Sequence, residues 1–241
     1  MPHVSAAVLA GGTGTRMGGA LPKQLLPLAG RPVLAHAVAA FQEAPEVDEV
    51  VVVMAPDHMA EAERIAAGFP KVRAVLPGGA TRTDSSVAAL RAVEGRDGSD
   101  LLLLHDAARP LVARSTIAAA VAALEHAGAV GVAVPSSDTV VRVEPGEGGA
   151  EAVAEVPPRA RLRRMQTPQG FRLEVLRRAF AAALADPDLV ATDDCGVVLR
   201  YLPGEPVHIV AGTESNIKVT HPGDVEVAEA LLRLGAQEAA R

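Results

Sequence analysis

The sequence is short of several things, and each shortage removes a class of protein. Of its 241 residues one is cysteine, Cys195, which excludes an internal disulfide and any cysteine-rich metal site. Tryptophan is absent and aromatic residues make up 2% of the chain, so alanine, valine and leucine must do the packing. There is no basic excess: 23 Lys and Arg stand against 29 Asp and Glu, a net charge of −6. Proteins that wrap nucleic acid show a broad basic face, so no nucleic-acid partner is expected. An anionic substrate would need local clusters of arginine and lysine. No apolar run approaches the roughly 18 residues of a membrane span, and Met1-Pro2-His3-Val4 opens no charged-then-apolar signal pattern. The expectation is a cytoplasmic protein with no membrane partner.

What is present is a regular alternation. With 49% hydrophobic residues the chain can bury a sizeable core, in one large α/β domain or two small ones as far as length decides. Val4–Ala10 reads as a strand, Val33–Glu43 as a helix opened by Arg31-Pro32, and Val47–Met54 as a buried strand. A helix from about Pro56 to Ala67 starts with proline, which suits a first helical position. Val72–Leu76, Leu101–His105, Ala129–Val134 and Val207–Val210 read as further strands. Helical patterns cover Thr81–Val93, Ser115–His126, Arg172–Ala185, Asp194–Tyr201 and Pro222–Leu234. The rhythm predicts an α/β fold with a mostly parallel, Rossmann-like sheet and helices on both faces. It breaks once. Thr139–Glu144 and Glu151–Val156 alternate polar and apolar residues around Pro145-Gly146-Glu147-Gly148-Gly149, a hairpin signal that predicts a protruding arm at about 138–158. A single domain over residues 1–241 carrying that arm is the economical reading.

The most informative stretch follows the first strand: Gly11-Gly12-Thr13-Gly14-Thr15-Arg16-Met17-Gly18-Gly19, then Pro22-Lys23-Gln24. Glycines let backbone N–H groups approach phosphate oxygens, and two cations supply charge that amides lack. A dinucleotide fingerprint counted from Gly12 and Gly14 fails at Met17, and a Walker A loop fails because Ala20 and Leu21 follow Gly19. The remaining pattern resembles nucleotidyltransferases that join a nucleoside triphosphate to a sugar or polyol phosphate. In that chemistry charge builds on the α-phosphate and on departing pyrophosphate, and the protein's work is positioning and charge stabilisation beside a divalent cation.

Further clusters lie downstream. His105-Asp106-Ala107-Ala108-Arg109-Pro110 follows the apolar Leu101–Leu104, where ligands gather beyond the carboxyl ends of parallel strands. Asp106 there suits Mg²⁺ or a ribose hydroxyl; His105 suits a structural or a functional role equally. Arg159, Arg161, Arg163 and Arg164 lead into Gln166-Thr167-Pro168-Gln169 and read mostly as a solvated face. Thr192-Asp193-Asp194 reads first as a helix cap, and Asn216-Ile217-Lys218-Val219-Thr220 as a strand-like segment.

Taken in order from Ala7 to about Ala228, these motifs resemble the 2-C-methyl-D-erythritol 4-phosphate cytidylyltransferase family; Gly78-Gly79 with Arg82 and Asp84-Ser85 belongs to the same set. Two departures stand out: Ala10 is followed by Gly11-Gly12 where the family often has Ala-Ala-Gly, and Ala80 occupies a position that is acidic in some relatives. The resemblance implies transfer of a cytidylyl group from CTP to methylerythritol phosphate, with Mg²⁺ or another divalent cation. It implies that Arg16 and Lys23 stabilise the α-phosphate during attack. It assigns Ala10, Gly11, Gly12, Gly14, Gly79, Ala80, Ser85, Asp106 and Ala107 to the nucleotide, with Asp106 at the metal. It assigns Arg109, Thr139, Arg159, Thr167, Thr192 and Lys218 to the acceptor, and makes the arm a homodimer contact that carries Arg159 into the neighbouring site. The alternatives are a cytidylyltransferase for another polyol phosphate such as ribitol 5-phosphate, and a nucleotide-binding regulatory domain without catalysis. Retention of Lys23, Asp106 and Lys218 speaks against the second.

Overall fold

Strand residues point alternately to the two faces of a sheet, so a run that is apolar throughout must be covered on both. The computed structural model describes residues 2–12 and 21–239, and its central strands are covered in that way. The chain begins with β1 (Val4–Ala10), then a short ribbon of β2 (Pro27–Leu28) and β3 (Arg31–Pro32) leading into α1 (Val33–Glu43). β4 (Glu49–Met54), α2 (Met59–Ala66), β5 (Val72–Pro77) and α3 (Arg82–Ala92) follow. Next come β6 (Leu101–Asp106), α4 (Arg114–Ala123) and β7 (Ala129–Pro135), then the hairpin of β8 (Arg142–Pro145) and β9 (Glu151–Glu155). β10 (Arg163–Arg172), α5 (Leu173–Leu184), α6 (Asp194–Tyr201), β11 (Val207–Ala211) and α7 (Gly223–Ala239) complete the described chain.

Among the described residues the main sheet has the order β11-β7-β10-β6-β1-β4-β5. Its pairings are parallel except those of β10, which runs antiparallel to both β6 and β7. Ala6, Val8 and Ala10 of β1 pack on Leu34, Val38 and Phe41 of α1 and, through the same cluster, on Ile117 of α4. Ala7 and Leu9, one residue out of phase, pack with Ala89 of α3, Leu176 and Phe180 of α5, and Val198 of α6. A third, smaller cluster seats Ala228 of α7 with Leu28, Val33 and Val219. From β1 the chain builds outward to β4 and β5, then crosses to β6 on the other side of β1. Ligands bind where the strand order reverses in this way, because the connections leave in opposite directions and open a crevice.

Besides the two-residue strands β2 and β3, the sequence reading missed β10, a strand of the main sheet. The arginines at 159, 161, 163 and 164 are exposed as expected, but Arg163 and Arg164 already pair with Pro135 and Val134, and Gln169–Arg172 pair with β6. Polar residues and a proline disguise a central strand, since proline cannot donate to the ladder. Here Pro168 falls between Met165 and Gln169, where the register against β7 shifts. The hairpin forms, though Thr139 precedes its first strand, and its strand residues are exposed throughout. Its two ends enter the sheet side by side, with Ser136 N–H donating to the Leu162 carbonyl, so the arm leaves from the same end of the sheet as Asp106.

Because β10 is a core strand, Phe171→Ala should cost about 3–5 kcal/mol of stability, its ring being wholly buried. Urea unfolding measures this; a loss below about 1 kcal/mol would mean that β10 is peripheral.

Candidate active site

The crevice between the carboxyl ends of β1 and β6 is a cavity of about 400 Å³, and a second of about 190 Å³ adjoins it. The larger is lined by Ala10, Gly11 and Gly12, by Lys23, by Ala80 and Ser85, and by Asp106 and Ala107. Arg109 and Thr167 line the smaller one. Arg82, Asp106, Thr192 and Lys218 line both. Gly14 and Arg16 lie outside the described residues. A groove of about 920 Å³ at the opposite end of the sheet, by Val4 and Leu101, holds none of the residues singled out from the sequence.

Local chemistry builds each wall. After β1, the side chain of Gln24 is buried and its Nε2 donates to the carbonyls of Ala10 at 2.6 Å and Gly12 at 3.0 Å. That clamp sets the mouth of the glycine loop beside Lys23, which sits on a 3-10 turn over Lys23–Leu25. Gly11 packs close to α3: a Cβ there would stand 2.5 Å from Ser85 Oγ, so a larger residue would have to turn that hydroxyl aside. Gly79 lines neither cavity; a Cβ on it would run into the Asp84 side chain. Asp84 is occupied in capping α3, accepting from Thr81 N–H at 2.8 Å while its own N–H donates to Thr81 Oγ1 at 3.1 Å.

Asp106 ends β6 and is 9% exposed. Lys218 Nζ meets its Oδ2 at 2.6 Å and Arg82 Nε its Oδ1 at 3.2 Å. Burial works to raise this carboxyl, but Arg82 and Lys218 outweigh it and hold Asp106 well below the usual carboxylate range. Arg82 also donates from Nη1 to Oδ2 of the buried Asp194 at 2.6 Å. Lys218 reaches the crevice because Val219 N–H donates to the Ala108 carbonyl at 2.8 Å. Asn216 anchors the same segment to β10, donating to Gln166 Oε1 and to the Thr167 carbonyl at 3.2 and 2.9 Å.

His105 and Thr167 are scaffolding for Asp106. The Asp106 N–H donates to Thr167 Oγ1 at 3.1 Å, and that hydroxyl lies 2.9 Å from His105 Nδ1. His105 Nε2 is 3.0 Å from the Arg109 carbonyl, which can only accept. The imidazole therefore carries its proton on Nε2 and accepts from Thr167 at Nδ1. Arg109 is spent in a similar way, donating to the carbonyls of Asn216 at 2.7 Å and Met165 at 3.1 Å. The helix cap before α6 is Asp193, which accepts from Gly196 N–H at 2.8 Å; Thr192 stays exposed toward the cavities. Cys195 is buried and its thiol is pushed up by that burial, which leaves it no nucleophilic role.

Two more of the residues singled out lie, like Gly79, outside both cavities. Thr139 and Arg159 line neither cavity; Arg159 is at the root of the arm and donates to the Ser137 carbonyl at 3.2 Å. The site also contains partners whose roles the sequence left unassigned: Arg82, Gln24, Asp194 and Gln169. Gln169 Oε1 accepts from the N–H groups of Asp194 and Cys195 at 3.0 and 3.1 Å, fixing the start of α6. Each stands within or beside a recognisable motif, which was the available signal, but Arg82 meets Asp194 across 112 positions of sequence.

A divalent cation calls for oxygen donors. Among the described residues no group of three or more His, Cys, Asp or Glu is placed to hold a metal, and Asp106 is the one carboxylate lining the larger cavity. Mg²⁺ commonly takes one or two carboxylates and completes its shell with phosphates and water. The donor set fits a cation that arrives with a triphosphate.

Comparison with known proteins agrees on the family. The model of the family described as IspD, 2-C-methyl-D-erythritol 4-phosphate cytidylyltransferase, matches residues 4–234. A 2-C-methyl-D-erythritol 4-phosphate cytidylyltransferase of Thermobifida fusca is 65% identical over 239 residues, covering 98% of this chain and 96% of that protein. Among solved structures, a 4-diphosphocytidyl-2C-methyl-D-erythritol synthase from Anaerococcus prevotii superimposes with a TM-score of 0.83 at 27% identity, covering 96% of this chain and 99% of that one. The 2-C-methyl-D-erythritol 4-phosphate cytidylyltransferase of Thermus thermophilus gives 0.74 at 34% identity, covering 97% and 100%.

The buried imidazole makes the site's stability depend on pH. Burial pushes His105 from 6.5 down to about 4. Between those values the unfolded chain takes up a proton that the folded chain refuses, so stability falls as pH falls. The contribution is full above 6.5, declines through the window and is gone below about 4, a total of about 3 kcal/mol. The stability advantage of the native chain over a His105→Gln variant should therefore shrink by about that amount between about pH 7 and pH 4. A pH-independent difference in urea unfolding would contradict a neutral His105.

Proposed function

The chain belongs to the 2-C-methyl-D-erythritol 4-phosphate cytidylyltransferase family, and from that premise we propose how its cleft divides the work. The enzyme transfers the cytidylyl group of CTP to 2-C-methyl-D-erythritol 4-phosphate in non-mevalonate isoprenoid biosynthesis, giving 4-diphosphocytidyl-2-C-methyl-D-erythritol and pyrophosphate. The observation that carries the division is the sharing of Asp106, Thr192 and Lys218 by two adjoining cavities. The nucleotide takes the larger, beside Ala10, Gly11, Gly12 and Lys23. The acceptor takes the smaller, beside Arg109 and Thr167. Their phosphates meet where the cavities join.

In this reading the acceptor phosphate attacks the α-phosphorus in line; one P–O bond forms as the bond to pyrophosphate breaks. Lys23, with Arg16 from the loop, offsets the charge that grows on the α-phosphate oxygens, as fixed charges do most effectively in such transfers. Gly14 and its neighbours supply amides to the triphosphate. Ala80 and Ser85 face cytosine and ribose, with Gly79 beside them against the Asp84 side chain, and Ala107 lets the nucleotide come close to β6. Lys218 and Thr192 hold the acceptor. A divalent cation bound to the triphosphate, with Asp106 as its protein ligand, would add neutralising charge at the phosphates.

Thr139 and Arg159, which line neither cavity of their own chain, serve the acceptor site of a second subunit. The chain is then one domain with an arm that makes a homodimer. Support comes from the arm's apolar skin: Val140, Val141, Val143, Val153 and Val156 are each more than 40% exposed, area that a partner would cover. CTP being a cytoplasmic nucleotide, the reading sets the enzyme in the cytoplasm.

Pyrophosphate release should be seen with CTP and methylerythritol phosphate, and should be at least about 100-fold slower with the other nucleoside triphosphates or with ribitol 5-phosphate. Release with ribitol 5-phosphate alone would sink the substrate assignment. Lys23→Ala and Arg159→Ala should each be nearly inactive, and mixing the two should restore up to about a quarter of native turnover as heterodimers form with one intact site. No recovery on mixing would place Arg159 in its own chain's site.

A further inference from the structure

Arg82 has no task in the mechanism above, yet it stands between the two cavities and lines both. It is the first residue of α3, and Asp194 the first of α6. Its guanidinium is forked between two carboxylates, Nε on Asp106 at 3.2 Å and Nη1 on Asp194 at 2.6 Å. Lys218 takes the second oxygen of Asp106. Four charges of alternating sign therefore run Asp194, Arg82, Asp106, Lys218, from the core to the edge of the cleft. Asp194 is 1% exposed, whereas the Lys218 side chain is 39% exposed.

We propose that Arg82, balanced by Asp194, is a positioning residue that limits how tightly Asp106 holds Lys218, and so sets the ammonium's availability to the acceptor phosphate. Asp106 has one negative charge to divide. While Arg82 occupies one oxygen, Lys218 is oriented by the carboxylate but only partly neutralised by it, and keeps attraction for an incoming anion. Without Arg82 a larger share of the carboxylate charge falls on Lys218, with Arg109 the other cation nearby, and a phosphate must compete harder for the ammonium. Asp194 restrains Arg82 in turn, turning the fork so that it does not close on Asp106 with both arms. A lysine could not reproduce this, having the charge without the fork.

The inference rests on Lys218 holding the acceptor, and the experiment separates the two. Arg82→Met should raise the KM for methylerythritol phosphate about 10-fold while the KM for CTP changes by about twofold or less. It should also lower the melting temperature by about 5 to 10 °C, because Asp194 is left buried and unpaired. Adding Asp194→Asn removes that unpaired charge. The double variant should regain most of the melting temperature and keep the raised acceptor KM, and Arg82→Lys should lie between native and Arg82→Met. Recovery of KM together with melting temperature in the double variant would reduce Arg82 to a structural role and overturn the proposal. Lys218→Met is the control. If it raises the acceptor KM and Arg82→Met does not, the inference fails alone; if it leaves that KM unchanged, the reading of Lys218 fails and takes the inference with it.

Discussion

The cleft depends on one buried carboxylate. Arg82, Arg109 and Lys218 crowd the end of β6, and in a partly buried setting three unbalanced cations would repel one another out of position. Asp106 makes the arrangement tolerable. It is bonded to two of them, and its attraction opposes the effect of burial on Arg109. Its position is fixed through its backbone as well: Asp106 N–H, Thr167 Oγ1, His105 Nδ1 and the Arg109 carbonyl form a continuous chain of hydrogen bonds around the strand end. The cavity can thus hold positive charge without losing its shape.

That arrangement requires an antiparallel strand inside a parallel sheet. β10 enters between β6 and β7 and delivers Thr167 to Asp106, the Met165 carbonyl to Arg109 and Gln169 to the start of α6. Gln166, Thr167 and Gln169 are buried because each has a partner, which is the condition under which burial of polar groups is tolerated. The same insertion roots the arm at the cleft end of the sheet. The long connection between β7 and β10 is therefore free to project from the end of the sheet where the two cavities open.

The sequence by itself determined the fold class and most of its elements. Val4–Ala10 and Val33–Glu43 have the predicted bounds, and Leu101–Leu104, apolar on both faces, lies in the centre of the sheet. Such segments are legible because period and apolarity are local properties. The motif residues also come together in space: ten of those assigned to nucleotide, acceptor or catalysis line the larger cavity.

What only the tertiary structure decided is the state and partner of each polar side chain. β10 was hidden because its residues are polar and interrupted by Pro168, and their burial makes sense only once His105, Asp193 and Asn216 are set against them. His105 became structural only when a carbonyl and a hydroxyl fixed its tautomer. Arg82 gained a place in the site only through Asp106 and Asp194, the second of them 112 positions away. Backbone pattern is written within a few neighbouring residues. The energy of a buried charge depends on what surrounds it in space, and only the folded chain specifies that.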